Sequence, residues 1–153
     1  MLPKIIDGNP PATQQGIEHF ERGCGLVLPD VYKEFLLATN GGVPETPAFP
    51  VQGMADYSVG VMQVFFGIGA RSPMPDLIEI YDFYADRIPH GIVPIADDGG
   101  GGYVCFDLRN GKHRVVFWDR RHFWGTGEWR ERDLYHVAES FAEFLELLRP
   151  NPY

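Results

Sequence analysis

Three short apolar segments near the middle of the chain constrain the fold most strongly. Residues 92–96, 103–108 and 114–118 are dominated by aliphatic and aromatic side chains, and each has the length of a β-strand. Asn110-Gly111 lies between the last two segments, and both residue types tolerate a positive φ, so the pair predicts a tight hairpin. Residues 97–102 join the first two segments. The sequence therefore predicts a three-strand meander.

Helical spacing of apolar residues surrounds this meander. Helices are expected after Thr13, after Pro29, from Asp76, and over Val137–Leu148. Residues 59–68 predict one more strand, whereas residues 43–58 and 119–133 are expected to be loops. Helices and strands occur in separate runs rather than in strict alternation, which indicates the α+β fold class.

The size and composition fit one globular domain over residues 1–153. The chain is 44% hydrophobic and contains only two cysteines, Cys24 and Cys105, which are expected to be buried free thiols. The N-terminus lacks the apolar core of a secretory signal, and no apolar run is long enough for a membrane span. We therefore expect no membrane association and a cytoplasmic location.

Charge is distributed unevenly along the chain. Residues 1–110 contain 14 acidic and 6 basic side chains and so carry the whole net charge of −8, whereas residues 111–153 contain 7 of each. Such an acidic protein repels phosphate backbones, which argues against nucleic-acid binding. A basic protein partner would be attracted instead, although acidity kept only for solubility explains the same charge.

No pattern in the sequence requires catalysis, a metal or a cofactor. The Asp-Asp-Gly-Gly-Gly-Gly run at 97–102 lacks the lysine of a phosphate loop and the distal glutamate of a calcium loop. Gly67-Ile68-Gly69 begins a dinucleotide-binding pattern, but Ser72 stands where its third glycine belongs. The five histidines form no closely spaced pairs of the kind found in zinc sites. We predict that the chain is not an enzyme.

The segment from Phe117 to Asp133 contains all three tryptophans and four arginines. Trp118 follows the strand alternation and is expected in the core. Trp124 and Trp129 lie beside glycines in the predicted loop and are candidates for anchoring a partner, because Trp and Arg are enriched at interface hot spots. Arg121 belongs to the same candidate surface. Stacking on single-stranded nucleic acid is the alternative use of this composition, but four acidic residues nearly cancel the positive charge.

At the level of motifs the chain resembles the SMI1/KNR4 family, also called the SUKH superfamily. The resemblance rests on three segments in order: GIEHFERGCGLVLPDVYKEFLLATNGG (16–42), IPHGIVPIADDGGGGYVCFDL (88–108) followed by VVFWD (115–119), and VAESFAEFLELL (137–148). It implies one α+β domain with a mostly antiparallel sheet flanked by helices. It also implies protein binding, because many bacterial members are immunity proteins that neutralise toxins and eukaryotic members act as scaffolds or regulators. The loop at 120–133 is longer and more aromatic than the family pattern.

Three functional hypotheses follow from these observations. The leading one is an immunity protein in which Asp56, Asp97 and Asp98 present negative charge to a basic toxin and Trp124 and Trp129 anchor it. A scaffold or regulatory module without a toxin partner is the alternative. A small-ligand binder or enzyme is the third, and a deep polar pocket would favour it. The sequence leaves the oligomeric state open.

Overall fold

The computed structural model describes residues 2–56 and 58–153, and in these residues it contains five α-helices and nine β-strands. The helices are α1 (Gln14–Cys24), α2 (Asp30–Ala38), α3 (Leu77–Tyr84), α4 (Arg121–Thr126) and α5 (Phe141–Leu147). The strands are β1 (Ile5–Asp7), β2 (Val43–Pro44), β3 (Ala48–Pro50), β4 (Val59–Val61), β5 (Val64–Phe65), β6 (Ile92–Asp97), β7 (Gly102–Asp107), β8 (Arg114–Asp119) and β9 (Leu134–Ala138).

The main sheet is a five-stranded antiparallel meander in the order β5-β6-β7-β8-β9. The meander predicted from the sequence forms its three central strands. Asn110 and Gly111 have φ values of 59° and 72°, which is the positive-φ turn that their residue types predict. Two small antiparallel pairs, β1-β2 and β3-β4, lie outside this sheet.

Helices pack against both faces of the sheet. Side chains alternate along β7, so Phe106 points to one face and Tyr103 to the other. Tyr32 of α2 packs against Phe106 with ring centroids 4.9 Å apart, and α5 reaches the same ring through Phe141. Tyr84 of α3 packs on the opposite face, 5.7 Å from Tyr103. The expected α+β fold, with an antiparallel sheet flanked by helices, is confirmed.

Side chains that cap the helices explain where several of them begin. Thr13 accepts a hydrogen bond from the amide of Gly16 at 2.9 Å, and Asp76 caps α3 by accepting one from Glu79. Ser140 caps α5 by accepting a bond from the amide of Glu143 at 3.1 Å. The last of these corrects the sequence-based prediction, because the helix begins at Phe141 and not at Val137.

Residues 134–138 form the fifth strand of the sheet. Val137 and Ala138 are spaced so that they extend the apolar pattern of α5, which is why the sequence suggested a single helix. In the structure they are buried, and this strand pairs with β8 through Val115 and Val116.

Two predicted loops also contain regular structure, and one predicted strand is divided. Residues 119–133 include α4, and residues 43–58 include β2 and β3, in which prolines occupy strand ends where a missing N–H is tolerated. The strand predicted at 59–68 is split into β4 and β5.

Candidate functional site

All six residues predicted to bind a partner gather around one end of the main sheet. In the antiparallel register Asp97 pairs with Tyr103, and Gly102 pairs with Asp119, so the last residues of β6 and β8 lie beside the first residues of β7. The 98–101 turn and α4 therefore come together here, and an ion pair with Arg121 ties Asp56 to them. We call this region the Arg120 end, after the arginine that follows β8.

The carboxylates of Asp97 and Asp98 hold the glycine-rich turn together. Asp97 accepts a hydrogen bond from the amide of Gly99 at 2.7 Å, and Asp98 accepts from Gly100 at 2.8 Å and from Gly102 at 2.9 Å. Burial raises the pKa of Asp97 above its ordinary value, and the charge of Asp98 adds to the shift. Both side chains are half-buried. Their negative charge reaches the surface, but several oxygens already bond within the turn.

Arg121 is shared between two carboxylates. Its guanidinium lies 2.7 Å from an oxygen of Asp119 and 2.7 Å from an oxygen of Asp56, and its side chain is 62% exposed. The hydrogen bonds from Arg121 lower the pKa of Asp119 below its ordinary value, against the opposing effect of burial. The charge that Asp56 was predicted to offer is thus largely compensated by Arg121.

The three tryptophans occupy three different depths. Trp118 is fully buried, as its strand position predicted. Trp129 is half-buried and packs on Trp118 with ring centroids 5.2 Å apart. Trp124 on α4 is 72% exposed. Of the two predicted anchors, Trp124 therefore exposes its ring to solvent, whereas Trp129 lies deeper, against Trp118.

The sequence-based reasoning missed a set of residues beside Trp124. Arg120 is only 7% exposed, and its guanidinium carbon lies 3.6 Å from the ring centroid of Tyr103 and 5.2 Å from that of Trp124. Arg87 covers the ring of Phe83 at 4.4 Å. Phe83 lies off the apolar stripe of α3 and is 62% exposed, and this unusual placement was the available signal in the sequence. We call Phe83, Arg87, Arg120 and Trp124 the Arg–aromatic patch.

The opposite end of β7 and β8, which we call the Asp107 end, contains a second charged cluster. Asp107 is 1% exposed, and its carboxylate accepts hydrogen bonds from Arg109 at 2.9 and 3.0 Å and from Arg114 at 2.9 Å. Burial on its own raises the pKa of Asp107, but the bonds from the two arginines outweigh it and the pKa is lowered. Arg109 also bonds to Glu131. The four side chains Asp107, Arg109, Arg114 and Glu131 therefore each have an opposite charge within bonding distance.

One groove lies beside β3 and the C-terminal residues. It has a volume of about 370 Å³ and is mostly apolar, and its lining residues are Ala48, Phe49, Pro50, Val59, Leu147, Arg149, Pro150 and Pro152. Its one charged group, the guanidinium of Arg149, bonds to the carbonyls of Glu146 and Leu148. It is not the deep polar pocket that would favour the enzyme hypothesis.

Other features can be stated for the described residues. Cys24 and Cys105 are free and buried, as predicted. Within residues 2–56 and 58–153, no three His, Cys, Asp or Glu side chains are grouped so that they could hold a metal ion. Among the helices of those residues, none combines the length and the apolar character needed to cross a bilayer.

Comparison with known proteins agrees with the resemblance found in the sequence. The chain is 28% identical over 156 aligned positions to the SPbeta prophage-derived uncharacterized protein YokK of Bacillus subtilis (strain 168), and the alignment covers 92% of this chain and 76% of that relative. Residues 11–147 match the family model described as SMI1 / KNR4 family (SUKH-1), which is nearly the whole chain. This protein belongs to the SMI1/KNR4 family (SUKH-1).

Proposed function

We propose that this chain is a non-catalytic, cytoplasmic immunity protein that neutralises a cognate toxin, such as a nuclease, by binding it. Family membership supports the proposal, because SUKH domains are commonly immunity-type proteins that act through protein contacts. The observation that carries it in this chain is Trp124. Hydration of a tryptophan ring that is 72% exposed is unfavourable in the free protein, and this free energy is recovered when a partner covers the ring.

The proposed mechanism is steric occlusion after electrostatic steering. The net charge of −8 attracts a basic toxin and accelerates encounter, and Asp56, Asp97 and Asp98 add negative potential around the Arg120 end. Because these carboxylates already have partners within the chain, they act through long-range potential more than through new bonds. Trp124 then anchors the contact, supported by Trp129 beneath. Covering an active-site cleft requires no chemistry from the inhibitor.

Co-expression tests the proposal directly. The toxin gene adjacent to this gene in the native genome is expressed with the wild-type chain or with Trp124→Ala, and growth and co-purification are measured. We expect the wild-type chain to protect the cell and to form a stoichiometric complex, and Trp124→Ala to weaken that complex by about tenfold or more. Val27→Ala is the matched control, because Val27 is also 72% exposed but lies between α1 and α2.

The alternative role predicts a different outcome from the same experiment. A scaffold or regulatory module would give neither protection nor a complex with the adjacent gene product, and that result would overturn the immunity proposal. If Trp124→Ala still protects the cell and binds the toxin with unchanged affinity, the toxin binds another surface.

A further inference from the structure

We propose that the Arg–aromatic patch binds a carboxylate side chain of the protein partner, with apolar groups next to that carboxylate lying on Trp124 and Phe83. The inference deepens the proposed binding function, since it rests on the partner being a protein, and it adds a specific recognition chemistry. The net charge alone predicts that the partner presents basic residues. At this patch, by contrast, a basic partner would present an acidic residue.

The first supporting observation is that the two arginines of the patch form no direct ion pair with the described residues. Within the described residues, neither Arg87 nor Arg120 forms an ion pair, whereas Arg121, adjacent to Arg120, is bonded to two carboxylates. Four other arginines also form no ion pair, and like Arg87 they are exposed and stay hydrated: Arg22, Arg71, Arg132 and Arg149. Arg120 differs because it is only 7% exposed. Asp97 attracts Arg120 without bonding to it. A buried cation without a directly bonded anion is costly, and a partner carboxylate would reduce that cost.

The second observation is the geometry of Arg120. Nη1 donates to the hydroxyl of Tyr84 at 2.5 Å, and the guanidinium stacks on the ring of Tyr103 at 3.6 Å. Nε is buried and has no acceptor. Nη2 makes no hydrogen bond to the described residues. The side chain is thus held in one orientation with donors to spare, so little conformational entropy is lost when an acceptor binds.

The third observation is the arrangement of rings and cations on the surface. The guanidinium carbons of Arg87 and Arg120 lie 5.4 and 5.8 Å from the ring centroid of Tyr84, so one buried tyrosine links the two cations. Trp124 and Phe83, exposed by 72% and 62%, flank them. Aromatic walls exclude water and strengthen a charge-assisted hydrogen bond at their centre. This combination of Trp, Tyr and Arg is also the one enriched at interface hot spots.

The surroundings favour a protein carboxylate over a nucleic-acid phosphate. Asp97, Asp98 and Asp119 lie at the same end of the sheet, and the protein carries a net charge of −8. An extended polyanion would meet all of these charges along its length, whereas one carboxylate among apolar groups would meet fewer of them, chiefly Asp97 beside Arg120.

Nuclear magnetic resonance titration of the full chain tests the inference without knowledge of the partner. The probes are two synthetic peptides, N-acetyl-Gly-Phe-Glu-Gly amide and its Gln counterpart, and adenosine monophosphate. The signals followed are the indole N–H of Trp124 and the Nε–H groups of the arginines. We expect the Glu peptide to shift the Trp124 and Arg87 signals with a Kd of about 1 mM, and the Gln peptide to bind about tenfold more weakly.

Three variants make the result specific to the patch. Arg120→Met should reduce binding of the Glu peptide by about tenfold, and Arg120→Lys should restore only part of it, because a lysine lacks the planar fork. Arg22→Met is the matched control, since it removes an exposed arginine of α1 that forms no ion pair with the described residues and lies outside the patch. If Arg120→Met fails to fold, Arg87→Met and Trp124→Ala provide the same comparison.

Several outcomes would overturn the inference. These are equal binding of the two peptides, no binding of the Glu peptide at 10 mM (about tenfold above the expected Kd), equal losses in Arg120→Met and Arg22→Met, or tighter binding of adenosine monophosphate at the patch. Failure here is separable from failure of the immunity role. A chain that protects against its toxin but ignores the Glu peptide loses only this inference, and a chain that binds the peptide without protecting loses only the immunity role.

Discussion

Each end of the β7–β8 pair contains a buried charge, but the two charges have different surroundings. At the Asp107 end, a carboxylate that is 1% exposed receives hydrogen bonds from two arginines. At the Arg120 end, a guanidinium that is 7% exposed has a tyrosine hydroxyl and aromatic faces, but no directly bonded anion among the described residues. Folding by itself favours the first arrangement. The second leaves a buried guanidinium without a directly bonded anion from the described residues. This pattern is expected where a surface is shaped for binding rather than for stability.

Removal of the buried acid should have the largest effect on stability. Asp107→Asn leaves Arg109 and Arg114 without their shared anion, so we expect the free energy of unfolding to fall by about 3 kcal/mol. Urea denaturation monitored by tryptophan fluorescence measures this change. Asp86→Asn, at an exposed acid, is the control and should change stability by no more than about 0.5 kcal/mol. Equal effects of the two variants would remove the contrast between the two ends.

Removal of the buried base should have a smaller effect on stability. Arg120→Met replaces a cation that has no ion pair with an apolar chain of similar length inside an aromatic cluster. We expect the free energy of unfolding to change by no more than about 1 kcal/mol in either direction. The same denaturation experiment applies, with Arg109→Met as its counterpart at the Asp107 end. A loss as large as that of Asp107→Asn would show that Arg120 serves the fold rather than a partner.

As the pH falls, the stability contributions of Asp107 and Asp97 should change in opposite directions. The pKa of Asp107 is lowered in the folded state, so its contribution is present above the unfolded pKa and is lost as the pH falls through the folded pKa. The pKa of Asp97 is raised, so its charged form weakens the fold at neutral pH, and that penalty disappears as the pH falls through the raised pKa. Unfolding free energies measured from pH 7 downwards should show both trends in the wild type, and each trend should be lost in the matching variant, Asp107→Asn or Asp97→Asn.

The smallest expected effect is that of Asp97→Asn at neutral pH. The amide oxygen can still accept the bond from Gly99 while the charge penalty is removed, so stability should rise by about 0.5 kcal/mol or less. The gain should vanish below the unfolded pKa of an aspartate. A loss of stability at pH 7 would mean that attraction between Asp97 and Arg120 outweighs burial.

Local signals in the sequence predicted much of the fold. The caps at Thr13 and Asp76 and the Asn110-Gly111 turn each depend on neighbours within a few residues, and the structure contains all three. The strand at 134–138 was missed because its pairing with β8 depends on residues about twenty positions away. The helix α4 was missed for a similar reason, since it has no apolar stripe and is held by Phe123 packing on Tyr84 and Trp118.

The candidate site was harder to predict than the fold. The exposure of Trp124 and the burial of Trp129 cannot be distinguished from composition, because both rings lie near glycines and differ only in the stacking of Trp129 on Trp118. Asp56 and Arg121 are 65 positions apart, so their ion pair has no local signal. The Arg–aromatic patch combines α3 with the segment that follows β8, and only the packing of the two brings Arg87 and Arg120 to the same tyrosine.

Amide hydrogen exchange of the chain, free and bound to the product of the adjacent toxin gene, tests the central claim most directly. The account predicts slower exchange on binding in α4 and in the 97–103 turn, and unchanged exchange in the 109–114 hairpin at the Asp107 end. Protection of that hairpin, with no change around Trp124, would contradict it.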